Sequence, residues 1–318
     1  MRKLAWFFGL AWVALLFCQT CLAQKSATPV EMRVQKISEH AYYVQGLSEV
    51  GSASNHNFIS NAGFVITPEG VLVVDALGSP ELAERLKQEI AKITPLPIRV
   101  LVLTHYHADH IYGLQVFKAA GAHVIAHEAA KEYLNSETAK LRLQTSRKEL
   151  WPWIDDNTHL VAADEWINAA KTFELGGFQF LIQPVGFSHT PEDVVVYFAQ
   201  EKVLFSGDLV FRNRIPYVGQ ANSRHWIEAL KDLSQFDVQF MVPGHGAIST
   251  HPAQDIQLTM RYLVALRKKM KDAADNMEPF DAAYENADWH EFENVPLFKV
   301  ANRMNAYNTY LLMEQEAK

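Results

Sequence analysis

Cysteine is almost missing from the 318 residues, and its two copies, Cys18 and Cys21, both fall near the start. That stretch reads as a secretory signal. Arg2 and Lys3 form a charged head, residues 4–17 are nearly unbroken apolar sequence, and Cys21-Leu22-Ala23 offers a cleavage site before Gln24. Cleavage after Ala23 leaves a mature chain without cysteine. Such a chain has no disulfide and no thiolate to act as nucleophile or metal ligand. A long apolar run is also lacking: the leader falls short of the roughly 20 residues a spanning helix needs. An uncleaved anchor is the other reading of this segment. A lipoprotein signal fits poorly, because Phe17 precedes Cys18 and Thr20 precedes Cys21. The expectation is a periplasmic or secreted protein with no membrane span in its mature form. Basic excess is missing too. There are 29 Lys and Arg against 36 Asp and Glu, a net charge of -7. Without Arg2 and Lys3 the count is 27 against 36, or -9. Nucleic acid is therefore not the expected partner, since phosphate binding needs a basic face. No internal repeat is visible by motif.

What is present is a core. Hydrophobic residues make up 49% of the chain, enough for one large domain, with or without an appendage. Short strands are expected at 33–37, 41–45, 58–66 and 71–75, with a turn at Thr67-Pro68-Glu69-Gly70. Residues 46–57, rich in Gly, Ser and Asn, read as a mobile loop. Ser79-Pro80 starts a helix that ends near Ile93, before Pro95 and Pro97. A buried strand at 100–103 follows, then a helix at 114–120, a strand at 123–126 and helices at 128–135 and 139–150. Residues 151–170 read as irregular. Strands are expected at 173–175, 178–185, 194–198 and 202–205, a helix at 223–233 and a strand at 238–242. A long helix, 252–271, places Ile256, Met260, Leu263 and Leu266 on one face. The remainder reads as mostly helical. A β-then-α pattern that occurs twice suits a two-sheet sandwich with outer helices.

The chemistry concentrates where the strand 100–103 stops, in Thr104-His105-Tyr106-His107-Ala108-Asp109-His110. Crowding three imidazoles and a carboxylate is unfavourable unless something binds them. His105 and His107 are two apart and share a face on extended backbone. No single ion readily takes all four side chains, whereas two neighbouring ions can. Three later strand ends supply further donors: His189 in Phe187-Ser188-His189-Thr190-Pro191, Asp208 in Ser206-Gly207-Asp208, and His245 in Pro243-Gly244-His245-Gly246. Singly, each reads as a turn.

Together they resemble the metallo-β-lactamase superfamily, whose mark is a His-x-His-x-Asp-His run followed by separate His, Asp and His ligands. The resemblance covers about 41–250, with all five motif segments present. It implies an α/β fold, an αββα sandwich, with the site at one edge between the sheets. The corresponding division is a signal peptide at 1–23, a catalytic domain at 24–250 and a helical extension at 251–318 packed on that domain. The implied cofactor is two zinc ions. His105, His107 and His189 would hold one, Asp109, His110 and His245 the other, and Asp208 would bridge them, all ordinary donors for zinc. The iron-dependent branch has glutamate where this chain has His107, so the imidazole favours zinc. The implied activity is hydrolysis of an ester, thioester, lactone or amide-like bond by a metal-bridging hydroxide. Asp109 would orient that nucleophile and relay its proton.

β-Lactamase is the alternative activity. One β-lactamase pattern places cysteine at the Asp208 position, and another generally lacks a bridging aspartate there. Asp208 resembles the thioesterase and lactonase branches instead. Asn61-Ala62-Gly63-Phe64-Val65, residues 71–78, Gly207-Asp208-Leu209-Val210-Phe211-Arg212 and Ser223-Arg224-His225-Trp226 resemble exported metallohydrolases. These accompany periplasmic quinoprotein dehydrogenase or sulfur-oxidation systems. That resemblance implies a small-molecule substrate and a possible periplasmic redox partner. It also leaves a non-enzymatic reading, a zinc-binding accessory protein.

Several other residues have two readings. Asp75 either orients His105 or caps the local chain. Arg212 and Arg214 either meet an anionic substrate or form ordinary ion pairs. His225, Tyr106 and Tyr112 are pocket candidates. His56 belongs to a lid or is simply exposed, and His123, His127, His159, His251 and His290 are structural or exposed.

Overall fold

The computed structural model describes residues 30–316. The 1–23 signal, with Cys18 and Cys21, lies outside the described residues. The first sheet opens with β1 (Val34–Lys36), β2 (Ala41–Val44), β3 (Ala62–Thr67) and β4 (Gly70–Val74) as an antiparallel meander. Helix α1 (Pro80–Ile93) then crosses over to β5 (Ile98–Val102), parallel to β4. Ser79 caps α1 by accepting from the Leu82 amide at 3.2 Å, and Pro80 occupies its first turn. Short helices α2 (Ala108–Ile111) and α3 (Leu114–Ala119) lead to β6 (His123–His127). Next, α4 (Ala130–Asn135) and α5 (Glu137–Glu149) lead to β7 (Glu165–Ile167). Both β6 and β7 continue the sheet in parallel.

The second sheet runs through β8 (Lys171–Leu175), β9 (Phe178–Pro184), β10 (Val194–Phe198) and β11 (Val203–Phe211), each antiparallel to the one before. Helix α6 (Ser223–Leu233) returns the chain to β12 (Phe240–His245), parallel to β11. Three helices follow: α7 (Pro252–Asp275), α8 (Phe280–Asn286) and α9 (Phe298–Glu316). No described helix is long and apolar enough to cross a membrane.

The period of two along each strand builds the layers. In β4, Leu72 and Val74 face the second sheet, where they meet Phe180, Ile182, Val196 and Phe205. Val71 and Val73 point the other way, into a layer with Leu82, Leu86, Ile90 and Phe117 of the helices. In β10 and β11 the same alternation sends Val195 and Leu204 outward against Trp226, Leu230, Leu263 and Leu266. Three apolar layers, helix on sheet on sheet on helix, make the expected αββα sandwich. The terminal helices belong to the outer layer, since Ala306, Tyr310 and Met313 of α9 share its cluster.

Four local expectations are revised. The strand expected over 58–66 begins only at Ala62, because 58–61 serve loop contacts. Residues 151–170 contain β7, too short to carry a period. The strand expected over 202–205 runs on to Phe211, with register shifts either side of Gly207. Asp208 therefore lies within an irregular strand rather than beyond its end. The 46–57 loop is fastened rather than loose. Trp153 donates to the Ala53 carbonyl at 2.6 Å and stacks on His56 at 3.6 Å between ring centres. His56 is 2% exposed, which removes its exposed reading.

Candidate metal centre

The carboxyl ends of β4, β5, β11 and β12 meet at one edge of the sandwich. The two sheets are tied there by hydrogen bonds from the Val194 amide to the Thr104 carbonyl and from the Asn61 amide to the Gly244 carbonyl. The chain leaving β5 is extended at His107 before α2 begins, so His105 and His107 point one way. Tyr106 points the other way and is buried, its hydroxyl on the Val161 carbonyl. The first turn of α2 presents Asp109 and His110. Gly207, in the left-handed region at φ 52, bends β11 beneath Thr104 and aims Asp208 at the same point. Gly244 lets β12 close on Asp208, because a Cβ there would lie 2.0 Å from Asp208 Oδ1.

All seven candidates come together, in two adjoining groups. His105, His107, His189 and Asp208 form one; Asp109, His110 and His245 form the other. Within each group the donor atoms lie within 4.8 Å of one another. Asp208 touches both. Its Oδ1 is 3.2 Å from His110 Nε2, and its Oδ2 is 3.4 Å from His189 Nε2 and 3.2 Å from His245 Nε2. Asp109 Oδ2 lies 3.3 Å from His245 Nε2. His189 Nε2 and His107 Nδ1 converge at 3.0 Å.

The outer ring nitrogens are held by the protein. Asp75 Oδ2 accepts from His110 Nδ1 at 2.9 Å, and the Ile59 carbonyl accepts from His245 Nδ1 at 2.7 Å. Asp75 also accepts from the Thr104 amide and hydroxyl, and that hydroxyl is 3.1 Å from His105 Nδ1. So Asp75 orients His110 directly and reaches His105 only through Thr104. The orienting role expected of it holds, with a different direct partner.

Electrostatics complete the picture. Burial pushes His105, His107 and His189 down, His189 to about 3, so these imidazoles stay neutral at pH 7. Burial opposes ionisation of Asp208, but His245 and His110 hold it well below the usual carboxylate range. Burial would lower His110 as well, yet the carboxylates of Asp208, Asp75 and Asp109 raise it. Neutral imidazoles beside ionised carboxylates are the donor set of a cation site. The buried His105 Nε2, His110 Nε2, His189 Nδ1 and Asp208 Oδ1 make no hydrogen bond among the described residues. Buried polar atoms rarely stay unpaired, and on His105, His110 and Asp208 they face the shared point. The residues fit a metal pair.

The family model described as the metallo-beta-lactamase superfamily matches residues 57–245. The chain belongs to the metallo-β-lactamase superfamily. It is a metallohydrolase of that superfamily. It is 24% identical over 276 residues, 85% of its length, to the metallo-beta-lactamase type 2 of Elizabethkingia meningoseptica, covering 98% of that protein. It is 25% identical over 213 residues to a linear primary-alkylsulfatase of a Pseudomonas strain, covering 40% of that longer protein. Among solved structures, a metallo-beta-lactamase from Pontibacter korlensis superposes with a TM-score of 0.59 at 25% identity, over 74% of this chain and 99% of that one. A sec-alkyl sulfatase superposes over 88% of this chain and 50% of its own, with a TM-score of 0.71 at 14% identity. The latter likeness concerns the fold alone.

The remaining candidates separate cleanly. Tyr112 is buried with its hydroxyl on Ser146, so neither flanking tyrosine lines the site. Arg212 is structural: its Nε is 2.8 Å from Asp255, and Nη1 is held by the Ala247 and Ile248 carbonyls. His225 sits 3.2 Å from Ser188, next to His189 in sequence. Three useful residues escaped the sequence reading. Asp193 accepts from the Thr190 amide and hydroxyl and so fastens the His189 loop. Glu192 accepts from the Tyr106 amide at 3.2 Å, tying that loop to the histidine run. Tyr217, 40% exposed, places its ring 6.1 Å from His107 and 6.3 Å from His189. The two acids follow Thr190-Pro191 directly, a signal for a built turn; Tyr217 lies in irregular chain and carries none.

Proposed function

We propose that this superfamily member is an exported binuclear zinc hydrolase. The 1–23 segment directs export, 24–250 form the catalytic domain and 251–318 its helical extension. The bond attacked is an ester, thioester, lactone or amide-like bond of a small-molecule substrate. The observation that carries the proposal is the pair of adjoining donor groups with Asp208 in reach of both. His105, His107 and His189 would hold one zinc and Asp109, His110 and His245 the other, with Asp208 in reach of both groups. Zinc in such a pair supplies Lewis acidity and makes water nucleophilic near neutral pH.

The protein's own contribution is orientation and proton handling. Asp75 and the Ile59 carbonyl fix which nitrogen His110 and His245 present inward. Asp109 is the more exposed carboxylate of the centre, its side chain 17% accessible against 4% for Asp208. An acid open to solvent suits the transfer of a proton away from attacking water, and that is the role assigned to Asp109.

The test is a panel of thioesters, lactones, β-lactams and sulfate and phosphate esters with zinc-loaded full chain. The panel is repeated with His105→Ala and Asp208→Ala variants shown to be folded by circular dichroism. Turnover on one class, lost in both variants, supports the reading. Full zinc content and full rate in both variants would overturn it. β-Lactamase remains the second reading, favoured by the names of relatives that this chain covers almost end to end. Rapid nitrocefin hydrolysis would place it first. No turnover on any class, with zinc tightly bound, supports a zinc-binding accessory protein of a periplasmic redox system.

A further inference from the structure

We propose that the outer face of α9 is a dimer interface, on which a second copy of this chain docks its own α9 in antiparallel register. The inference is independent of the hydrolase reading. It begins with a helix that is apolar on two sides. Ala301, Ala306, Tyr310 and Met313 are buried in the outer layer that α9 shares with α7. Val300, Met304, Tyr307 and Leu311 lie on the other side, between 37% and 60% exposed. A helix that is apolar all round is normally covered all round. Within the described residues the second stripe of α9 has no layer to enter.

The apolar surface extends beyond α9. The Phe280 ring of α8 meets Tyr307 at 5.0 Å, and Met277, three residues before Phe280, is 88% exposed. Exposed apolar patches on this scale mark interaction sites. A standard interface takes about 800 Å² from each partner, as an apolar centre within a polar rim. The stripe and Met277 supply the centre, and Lys299, Arg303, Glu314 and Gln315 border it.

The spacing selects the occupant. From Val300 to Leu311 the steps are four, three and four residues, the seam spacing of paired helices. That order of steps reads the same in both directions. Two copies related by a two-fold axis between Met304 and Tyr307 therefore set Val300 against Leu311 and Met304 against Tyr307, and every layer is filled at once. A partner of another kind would not require the stripe to be reversible.

Charge fixes the direction. The charged side chains of α9 are Lys299, Arg303, Glu314 and Glu316. Arg303 pairs with Asp281 at 2.6 Å, and Glu316 with Arg224 and Arg267 at 2.6 and 2.7 Å. Lys299 and Glu314, both exposed and at opposite ends of the stripe, have no ion-pair partner among the described residues. The helical period places the two on the same flank of the stripe, and in a two-fold antiparallel pair that flank faces its own copy. Lys299 of each copy then comes within two residues, roughly 3 Å along the axis, of Glu314 of the other. A parallel pair would set lysine against lysine and glutamate against glutamate.

Analytical ultracentrifugation of the full chain, from about 1 to 100 μM, reads the association directly. Wild type should sediment with twice the mass of one chain at the upper end. Met304→Glu puts a carboxylate into the seam and should be monomeric throughout, with its fold checked by circular dichroism. Lys299→Glu and Glu314→Lys should each weaken the dimer about tenfold, since like charges then meet at both ends. Lys299→Glu combined with Glu314→Lys should restore wild-type affinity. Should Met304→Glu not fold, the charge variants carry the test, because both positions are exposed. A wild type that stays monomeric overturns the proposal. A dimer unchanged by Met304→Glu overturns it as well, because the interface then lies elsewhere. A dimer indifferent to the charge variants overturns the antiparallel register.

Discussion

Asp75 carries more of the site than its distance from the donors suggests. One carboxylate fixes the His110 ring, the Thr104 amide and the Thr104 hydroxyl. Asp75→Asn keeps the shape but weakens the acceptor that sets the His110 tautomer. Zinc affinity of the Asp109, His110 and His245 group should fall about 10–100-fold, while the first group holds its zinc. Competition against a chelator reads both sites. A pH dependence belongs here too. His189 titrates at about 3 in the folded metal-free chain against 6.5 when unperturbed. Between those values the unfolded chain binds the extra proton, so the group's contribution is lost as pH falls from 6.5 toward 3. His105 and His107 act in the same direction. His110, raised by its carboxylates, acts oppositely and contributes stability that is lost as pH rises through its folded value. Three groups against one predict that metal-free protein loses stability on acidification. Each group contributes up to about 1.4 kcal/mol per pH unit, measurable as a falling urea midpoint. A midpoint that rises on acidification would contradict this assignment. The seven donors were legible in sequence because histidine and aspartate collect at strand ends. Tyr106, expected as a pocket candidate, is not one: His105 and His107 share a face, so the residue between them faces away and is buried. Tyr217 and the burial of His56 were not legible, since both depend on where irregular chain lies against distant elements.

At the scale of elements, the centre depends on how closely β11 and β12 run. Gly244 is where they come together, with no room for a methyl group beside Asp208. Gly244→Ala should displace the Asp208 carboxylate and weaken zinc binding at both groups. The overpacking should lower stability by about 1–3 kcal/mol without unfolding the sandwich. Zinc content and a thermal melt check this; unchanged zinc content would show that Asp208 does not depend on that approach. The order and type of most elements could be read from sequence, because alternating apolar residues and the Ser-Pro helix start are strong local signals. The length of β11 could not. A strand interrupted at Gly207 loses its period where it becomes functional, so a local reading ends it at the glycine.

At the scale of the molecule, two sheets contribute one site. Loops after β4 and β5 bring Asp75 and the histidine run, while the second sheet brings His189, Asp208 and His245 to the same edge. Neither sheet holds a complete donor set. The helices after 250 share the apolar layer outside the second sheet, and their contribution to the centre is indirect, through the seating of β11 and β12. Family and architecture were legible from the ligand pattern; the partners of the polar groups at the edge were not, because many are set by the meeting of segments far apart in the chain, as for Asn61 and Gly244. The account stands on two metals sharing Asp208. The most direct measurement is a count of zinc per full chain by equilibrium titration, in wild type and in folded Asp208→Ala. Two equivalents in wild type, with clear loss in the variant, is the predicted result. A single equivalent in wild type, or two retained in the variant, would contradict it.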